Sequence, residues 1–249
     1  MNKSWVLAIE KHKKALLDCG FKEENILGIF VYGSQNYNLD TPTSDWDTKA
    51  IVVPTFNEIL FDKPISKEVN VQQNDNQWEH CEVKDIREFI KMFEKQNINF
   101  IEILFTEYKW VNPKFQNLWK EYFVNNREEI ARYDMSAAIK SIVGQAKHII
   151  KQNPTNGKKI ANGYRLLRFL DRYTDEKCSY SECIVIPASK KDWFLGLKQS
   201  ETVSPQHSEL LLTLLTRVYE DYPPFKVKKD IKETMQQGAK EIIKFANGI

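Results

Sequence analysis

The chain has 249 residues, enough to bury a substantial core as one large domain or two small ones. With 42% hydrophobic and 28% charged residues it reads as a soluble globular protein, and no apolar run approaches the roughly 20 residues of a membrane span. The net charge of +2 is unevenly spread: residues 1–125 carry 15 Lys/Arg against 19 Asp/Glu, and residues 126–249 carry 21 against 15.

Met1-Asn2-Lys3-Ser4 opens no signal peptide, and the 4 cysteines, Cys19, Cys81, Cys178 and Cys183, form no C-x-x-C pair. Reduced thiols and a cytoplasmic location are therefore expected.

Ser4 to Leu17 has the apolar spacing of an amphipathic helix, with Ser4 as its N-cap and Cys19-Gly20 closing it. His12 falls on the polar side and is expected at the surface. Asn25 to Tyr32 reads as a first strand, Ser34 to Leu39 as a short helix, and Asp40 to Ser44 as a loop in which Pro42 blocks helix continuation. Thr48 to Val53 is rich in β-branched residues and reads as a buried strand.

From Pro54 to Gln77 the pattern weakens, and prolines with the polar run Gln72 to Gln77 suggest a long loop, a flap near the site. Trp78 to Val83 reads as the third strand, and Asp85 as the N-cap of a helix through Phe93. Glu102 sits in the apolar stretch Asn99 to Phe105 and is expected to make a helix-positioning salt bridge. Pro113 to Phe123 starts a helix. Beyond it the chain turns helical, with helices expected over 127–152, 156–173, 189–198, 205–222 and 230–247 and a boundary near residue 125. The leucine stripe from Leu210 to Val218 spans too few turns for a zipper and reads as the core of an antiparallel bundle.

The chemistry concentrates in Ile29-Phe30-Val31-Tyr32-Gly33-Ser34 and Asp45-Trp46-Asp47. A Gly-Ser turn at a strand end offers backbone N–H groups and a hydroxyl to a phosphate. Alternation along an extended chain puts Asp45 and Asp47 on one face, and two such carboxylates repel unless a cation lies between them. Hard oxygen ligands favour Mg²⁺ or Mn²⁺. A basic segment from Lys140 to Arg172, opposed only by Asp171, suits a polyanionic substrate.

Gly33-Ser34 followed by Asp45-x-Asp47 resembles the signature of the DNA-polymerase-β-like nucleotidyltransferase superfamily. The fuller string, Tyr32 to Leu39 with Thr41 to Asp47, is similar to its bacterial and phage branch of predicted nucleotidyltransferases, which includes a protein linked to an RNA-repair pathway. Asn97 to Phe105 and the segment Lys159 to Leu170 are similar to downstream elements of that branch.

The resemblance implies an α+β protein. A nucleotidyltransferase domain (1–125), with a small mixed sheet flanked by helices, would precede an α-helical bundle (126–249) that binds nucleotide or substrate. It implies Gly33 and Ser34 at the phosphates, and Asp45 and Asp47 as ligands of Mg²⁺ or Mn²⁺. It also implies a third carboxylate on a neighbouring strand: Glu82 is the candidate, with Asp85 as its rival. Lys158 or Lys159, with Arg165, would bind the triphosphate, because Lys158, Asn162 and Arg165 share a helix face.

The activity so implied is transfer of a nucleoside monophosphate from a nucleoside triphosphate such as ATP to an acceptor hydroxyl, most readily on RNA. Transfer to a protein or small molecule, or a non-catalytic nucleotide-binding module, are the alternatives. Tyr37, Trp46 and Tyr164 are candidates to stack on a base.

Overall fold

The computed structural model describes residues 4–74, 77–175 and 177–249; Met1-Asn2-Lys3, Glu176, and Asp75 and Asn76 of the polar run lie outside them. Helix α1 (Ser4–Asp18) leads to strands β1 (Ile26–Val31) and β2 (Thr48–Val52). Helix α2 (Phe56–Leu60), strands β3 (Ser66–Asn74) and β4 (Gln77–Asp85), and helices α3 (Ile86–Glu94) and α4 (Ile98–Ile101) follow. Strand β5 (Lys109–Val111) then precedes α5 (Gln116–Trp119), a π-helical turn (Lys120–Val124) and α6 (Arg127–Ala131). The C-terminal region is helical: α7 (Met135–Gln152), α8 (Gly157–Tyr173), α9 (Tyr180–Ile184), α10 (Ala188–Gln199), α11 (Pro205–Asp221) and α12 (Lys229–Asn247).

The protein is thus α+β, with a small mixed sheet of strand order β3-β4-β2-β1-β5 and a helical C-terminal region. β1 pairs antiparallel with β2 and β5, β3 antiparallel with β4, and β2 parallel with β4 in the register Lys49↔Glu82. β1 and β2 are buried along their whole length because both faces of the sheet are covered. On one face Ile9 and Leu16 of α1 pack on Ile29, Ala50, Cys81 and Val83. On the other, Phe30 and Ile51 belong to a core that includes Phe89, Phe93, Phe123, Ile142, Phe169 and Met235. That core is continuous across residue 125, and α12 returns to pack on α3 and α5. Among the described residues no helix is long and apolar enough to cross a membrane.

Several local expectations are corrected. Residues 54–74 are not a loop. Thr55 and Glu58 close a capping box on α2, and β3 forms an antiparallel hairpin with β4. Its polar residues fit an edge strand: Val69 and Val71 are buried, while Lys67, Glu68 and Asn70 face out. Ser34 to Leu39 is not a helix but a compact turn, closed by bonds from Tyr37 N–H and Leu39 N–H to Ser34 O. The expected helix 127–152 breaks into α6 and α7, with Asp134 capping α7 through Ala137 N–H at 2.9 Å. Of the leucine stripe, Leu211 and Leu215 are buried and Leu210 is exposed.

His12 is likewise not at the surface; it is 0% exposed. Its Nδ1 lies 2.6 Å from Thr48 Oγ1 and its Nε2 3.3 Å from Glu79 Oε2, so α1 and two strands meet at one imidazole. Truncation would take the imidazole partner from buried Glu79 and leave a void behind the sheet. His12→Ala is expected to cost about 2–4 kcal/mol of unfolding free energy. Urea denaturation checks this; a loss under about 0.5 kcal/mol, the range of an ordinary surface change, would contradict the buried placement.

Candidate functional site

Two residues beyond β1 lies Gly33, whose φ of +93° is in the left-handed region that side chains disfavour. The turn it starts is tied down on three sides. Tyr32 N–H donates to Asp47 O at 3.1 Å, and Gln35 Nε2 to Asp45 O at 2.5 Å. Asn36 Nδ2 donates back to Val31 O at 3.1 Å, and its Oδ1 accepts from the Thr106 hydroxyl at 2.8 Å. The Gly-Ser turn and the Asp45–Asp47 segment are therefore laced together by backbone, just ahead of β2.

Asp45 and Asp47 open onto a cavity of about 220 Å³ lined by Ser34, Tyr37, Lys158, Lys159, Asn162, Arg165 and Lys198. Trp46 between them turns to the opposite side of the sheet and packs edge-on against Tyr108. Burial holds the Asp47 carboxyl above its ordinary value; the His80 N–H bond at 2.9 Å opposes this and the neighbouring Asp45 adds to it. Two carboxylates and four cations face one space.

The cationic wall is built by α8 and α10. The Asn156 side chain caps α8 by accepting from Lys159 N–H at 3.0 Å, which sets Lys158 and Lys159 in the first turn. Two turns on, Arg165 is 5% exposed; its Nε donates to Asn162 Oδ1 at 2.9 Å and its Cζ stands 3.9 Å from the centre of the Tyr37 ring. Lys198 of α10 donates to Leu39 O at 2.9 Å, and burial with the nearby Lys158 holds its ammonium below its ordinary value.

The remaining expectations fare differently. Glu82 lies on β4 beside Lys49 of β2, and its carboxylate bonds the Lys49 and Lys84 ammonium groups. Burial alone would raise the Glu82 carboxyl, but Lys49 and its hydrogen bond, with Lys84, hold it below the ordinary value. Lys49 is 2% exposed and sits 4.2 Å and 4.1 Å from the ring centres of Tyr32 and Phe100. The rival carboxylate, Asp85, is fully buried; it caps α3 through Arg87 N–H and Glu88 N–H, accepts from Ile65 N–H, and pairs with the Arg87 guanidinium. Among the described residues no group of three or more His, Cys, Asp or Glu side chains is disposed to hold a metal ion. A two-carboxylate metal site at Asp45 and Asp47 fits the residues present, since their mutual repulsion calls for a cation. A three-carboxylate centre that draws on Glu82 fits less well, because Lys49 and Lys84 already neutralise that carboxylate.

Among the described residues Glu102 makes no salt bridge. Its buried carboxylate accepts Gly33 N–H at 2.8 Å and the Tyr37 hydroxyl. The Gly33 N–H expected at a phosphate is thus already engaged, whereas Ser34 lines the cavity. Tyr37 is buried with Arg165 over its ring, and Tyr164 lines a separate groove with Trp193, so neither ring face offered for stacking opens freely onto the cavity. Lys198 and Glu102 were missed as site residues. Lys198 sits in a lysine-rich helix with no periodic signal, whereas Glu102 was visible as a lone acid in an apolar run. Neither protein-family models nor curated proteins give a match to this chain.

Proposed function

We propose that the chain is a metal-dependent nucleotidyltransferase that moves a nucleoside monophosphate from a triphosphate to an acceptor hydroxyl, with RNA as the favoured acceptor. The observation that carries this reading is the meeting of Ser34, Asp45 and Asp47 with Lys158, Lys159, Arg165 and Lys198 around one cavity. Residues 1–125 supply the turn and the carboxylates, and residues 126–249 the cations, which supports a catalytic part followed by a nucleotide-binding helical part.

On this reading Asp45 and Asp47 would hold a Mg²⁺ or Mn²⁺ ion, which supplies Lewis-acid charge at the phosphates. Ser34 Oγ orients the triphosphate against the Gly-Ser turn. Lys158, Lys159 and Arg165 bind its outer phosphates and balance the charge of the pyrophosphate that leaves as the acceptor oxygen, its proton passing to water, bonds to the α-phosphorus. Glu82, held low by Lys49, is a weak proton acceptor and serves here as the counter-charge of that buried lysine.

The test is incubation with each of the four α-labelled nucleoside triphosphates, Mg²⁺ or Mn²⁺ and a cell lysate, with Asp45→Ala/Asp47→Ala as control. Label in RNA that is absent with the control is the expected result and reports the base preference. Label in polypeptide would redirect the reading to a protein-modifying transferase. No label in any fraction, with triphosphate binding retained, would overturn the transferase in favour of a nucleotide-binding module.

A further inference from the structure

Arg165 carries an anomaly that its role as a phosphate ligand alone does not explain. It is nine-tenths buried, yet its Nη1 has no hydrogen-bond partner among the described residues. A buried guanidinium nitrogen left unpaired is costly, and the cost is offset if an anion from the cavity completes its shell. The rest of the guanidinium is held in place: Nε is fixed by Asn162, and one face is stacked on the Tyr37 ring. That ring is itself oriented, because its hydroxyl donates to one oxygen of Glu102 while the other oxygen takes Gly33 N–H. One buried carboxylate therefore connects the two arms of the site, the Gly-Ser turn and the guanidinium, through groups 65 and 69 residues from it in the chain.

We propose that Glu102, Tyr37 and Asn162 are positioning residues that set Arg165 and the Ser34 turn in one geometry, so that Arg165 Nη1 meets a phosphate oxygen of the triphosphate. The inference rests on the phosphate-binding reading of the cavity but not on group transfer. Tyr37 acts through Arg165, not by stacking on a base, since the guanidinium occupies its ring face. Glu102 acts through its two hydrogen bonds, so a side chain of the same shape that keeps both can replace it. Glutamine meets that requirement: its carbonyl accepts Gly33 N–H and its amide donates to the Tyr37 oxygen.

The experiment is a double-mutant cycle read by calorimetric binding of inorganic tripolyphosphate and of ATP to the full chain, with and without EDTA. Arg165→Gln is expected to weaken tripolyphosphate about tenfold, the size of one charge-assisted hydrogen bond. Tyr37→Phe, which takes a donor from buried Glu102, is expected to lower the melting temperature while the protein stays folded, to weaken tripolyphosphate about three- to tenfold, and to have no further effect on binding in the Arg165→Gln background. Glu102→Gln is expected to bind within about twofold of the parent, the tolerance allowed for a retained hydrogen-bond pair. If Tyr37→Phe does not fold, Asn162→Ala, on the partly exposed side of α8, takes its place in the cycle with the same expectation.

Additive losses in the cycle, or a Glu102→Gln protein as weak as Arg165→Gln, would overturn the positioning role while leaving the site reading intact. Failure of the parent protein to bind tripolyphosphate or ATP under either condition would overturn both. Tight binding without any nucleotidyl transfer would remove the proposed activity and leave this inference standing.

Discussion

Asp47→Asn is expected to lower nucleotidyl transfer by about 10³-fold or more, the weight of several kcal/mol of lost charge stabilisation at the phosphates. Its unfolding free energy is expected to stay level or rise. The two outcomes diverge for a physical reason. Burial and the Asp45 charge hold the Asp47 carboxyl above its ordinary value, so the fold disfavours its ionised form at neutral pH. Asparagine removes that strain and keeps an oxygen for His80 N–H, which now lies 2.9 Å from Asp47 Oδ1. Asp45→Ala, at an exposed position, is expected to abolish transfer to the same degree with little change in stability. Transfer assays beside urea denaturation of the same preparations check both. Activity retained in either variant would remove the carboxylate pair from the mechanism, and loss of fold in Asp47→Asn would make its role architectural.

The second large effect is expected at Gly157, the first residue of α8. A Cβ there would lie 2.2 Å from Ser200 O and 2.4 Å from Leu197 O. Both are backbone atoms at the end of α10, so no side-chain rotation relieves the clash and the two helices must part. Gly157→Ala is expected to cost about 3 kcal/mol, the upper range of overpacking. The site is expected to suffer with the fold. Lys158 and Lys159 follow Gly157 directly, and Lys198, bonded to Leu39 O, lies between the two clashing residues. Gly144→Ala is the control: it lies in α7 with nothing within 4 Å of the added Cβ, and alanine there is expected to stabilise by about 0.5–1 kcal/mol. Urea denaturation of the two variants reads the difference. Equal behaviour would mean that α8 and α10 do not meet closely at Gly157, and with that the cationic wall would lose its frame.

What the sequence by itself determined is what local periodicity and short-range chemistry encode. The β-branched run at 48–53 and the apolar run before Gly33 became β2 and β1, and the helices expected over 156–173, 189–198, 205–222 and 230–247 became α8, α10, α11 and α12 with bounds shifted by one residue at most. Asp85 was legible as an N-cap because a cap bonds to its own next turn. The spacing of Asp45 and Asp47, and the shared face of Lys158, Asn162 and Arg165, also followed from the chain alone, and all five line one cavity.

The tertiary structure decided the rest, which concerns polar groups whose partners are remote in sequence. β3 hides in a polar stretch because an edge strand buries one face only, so Val69 and Val71 are too few to announce it. His12 looked solvated by its helix face, yet α1 lies on the back of the sheet where Thr48 and Glu79 satisfy it. Glu82 is the sequence's candidate third carboxylate, and its partner Lys49 is set beside it only by the parallel register of β2 and β4. Glu102 found Gly33 and Tyr37, not a salt bridge, and Lys198 joined the site by the antiparallel approach of α10 to α8. A buried charge takes whichever partner the packing of distant elements brings within hydrogen-bond reach, and that proximity has no signature in the residues on either side of it.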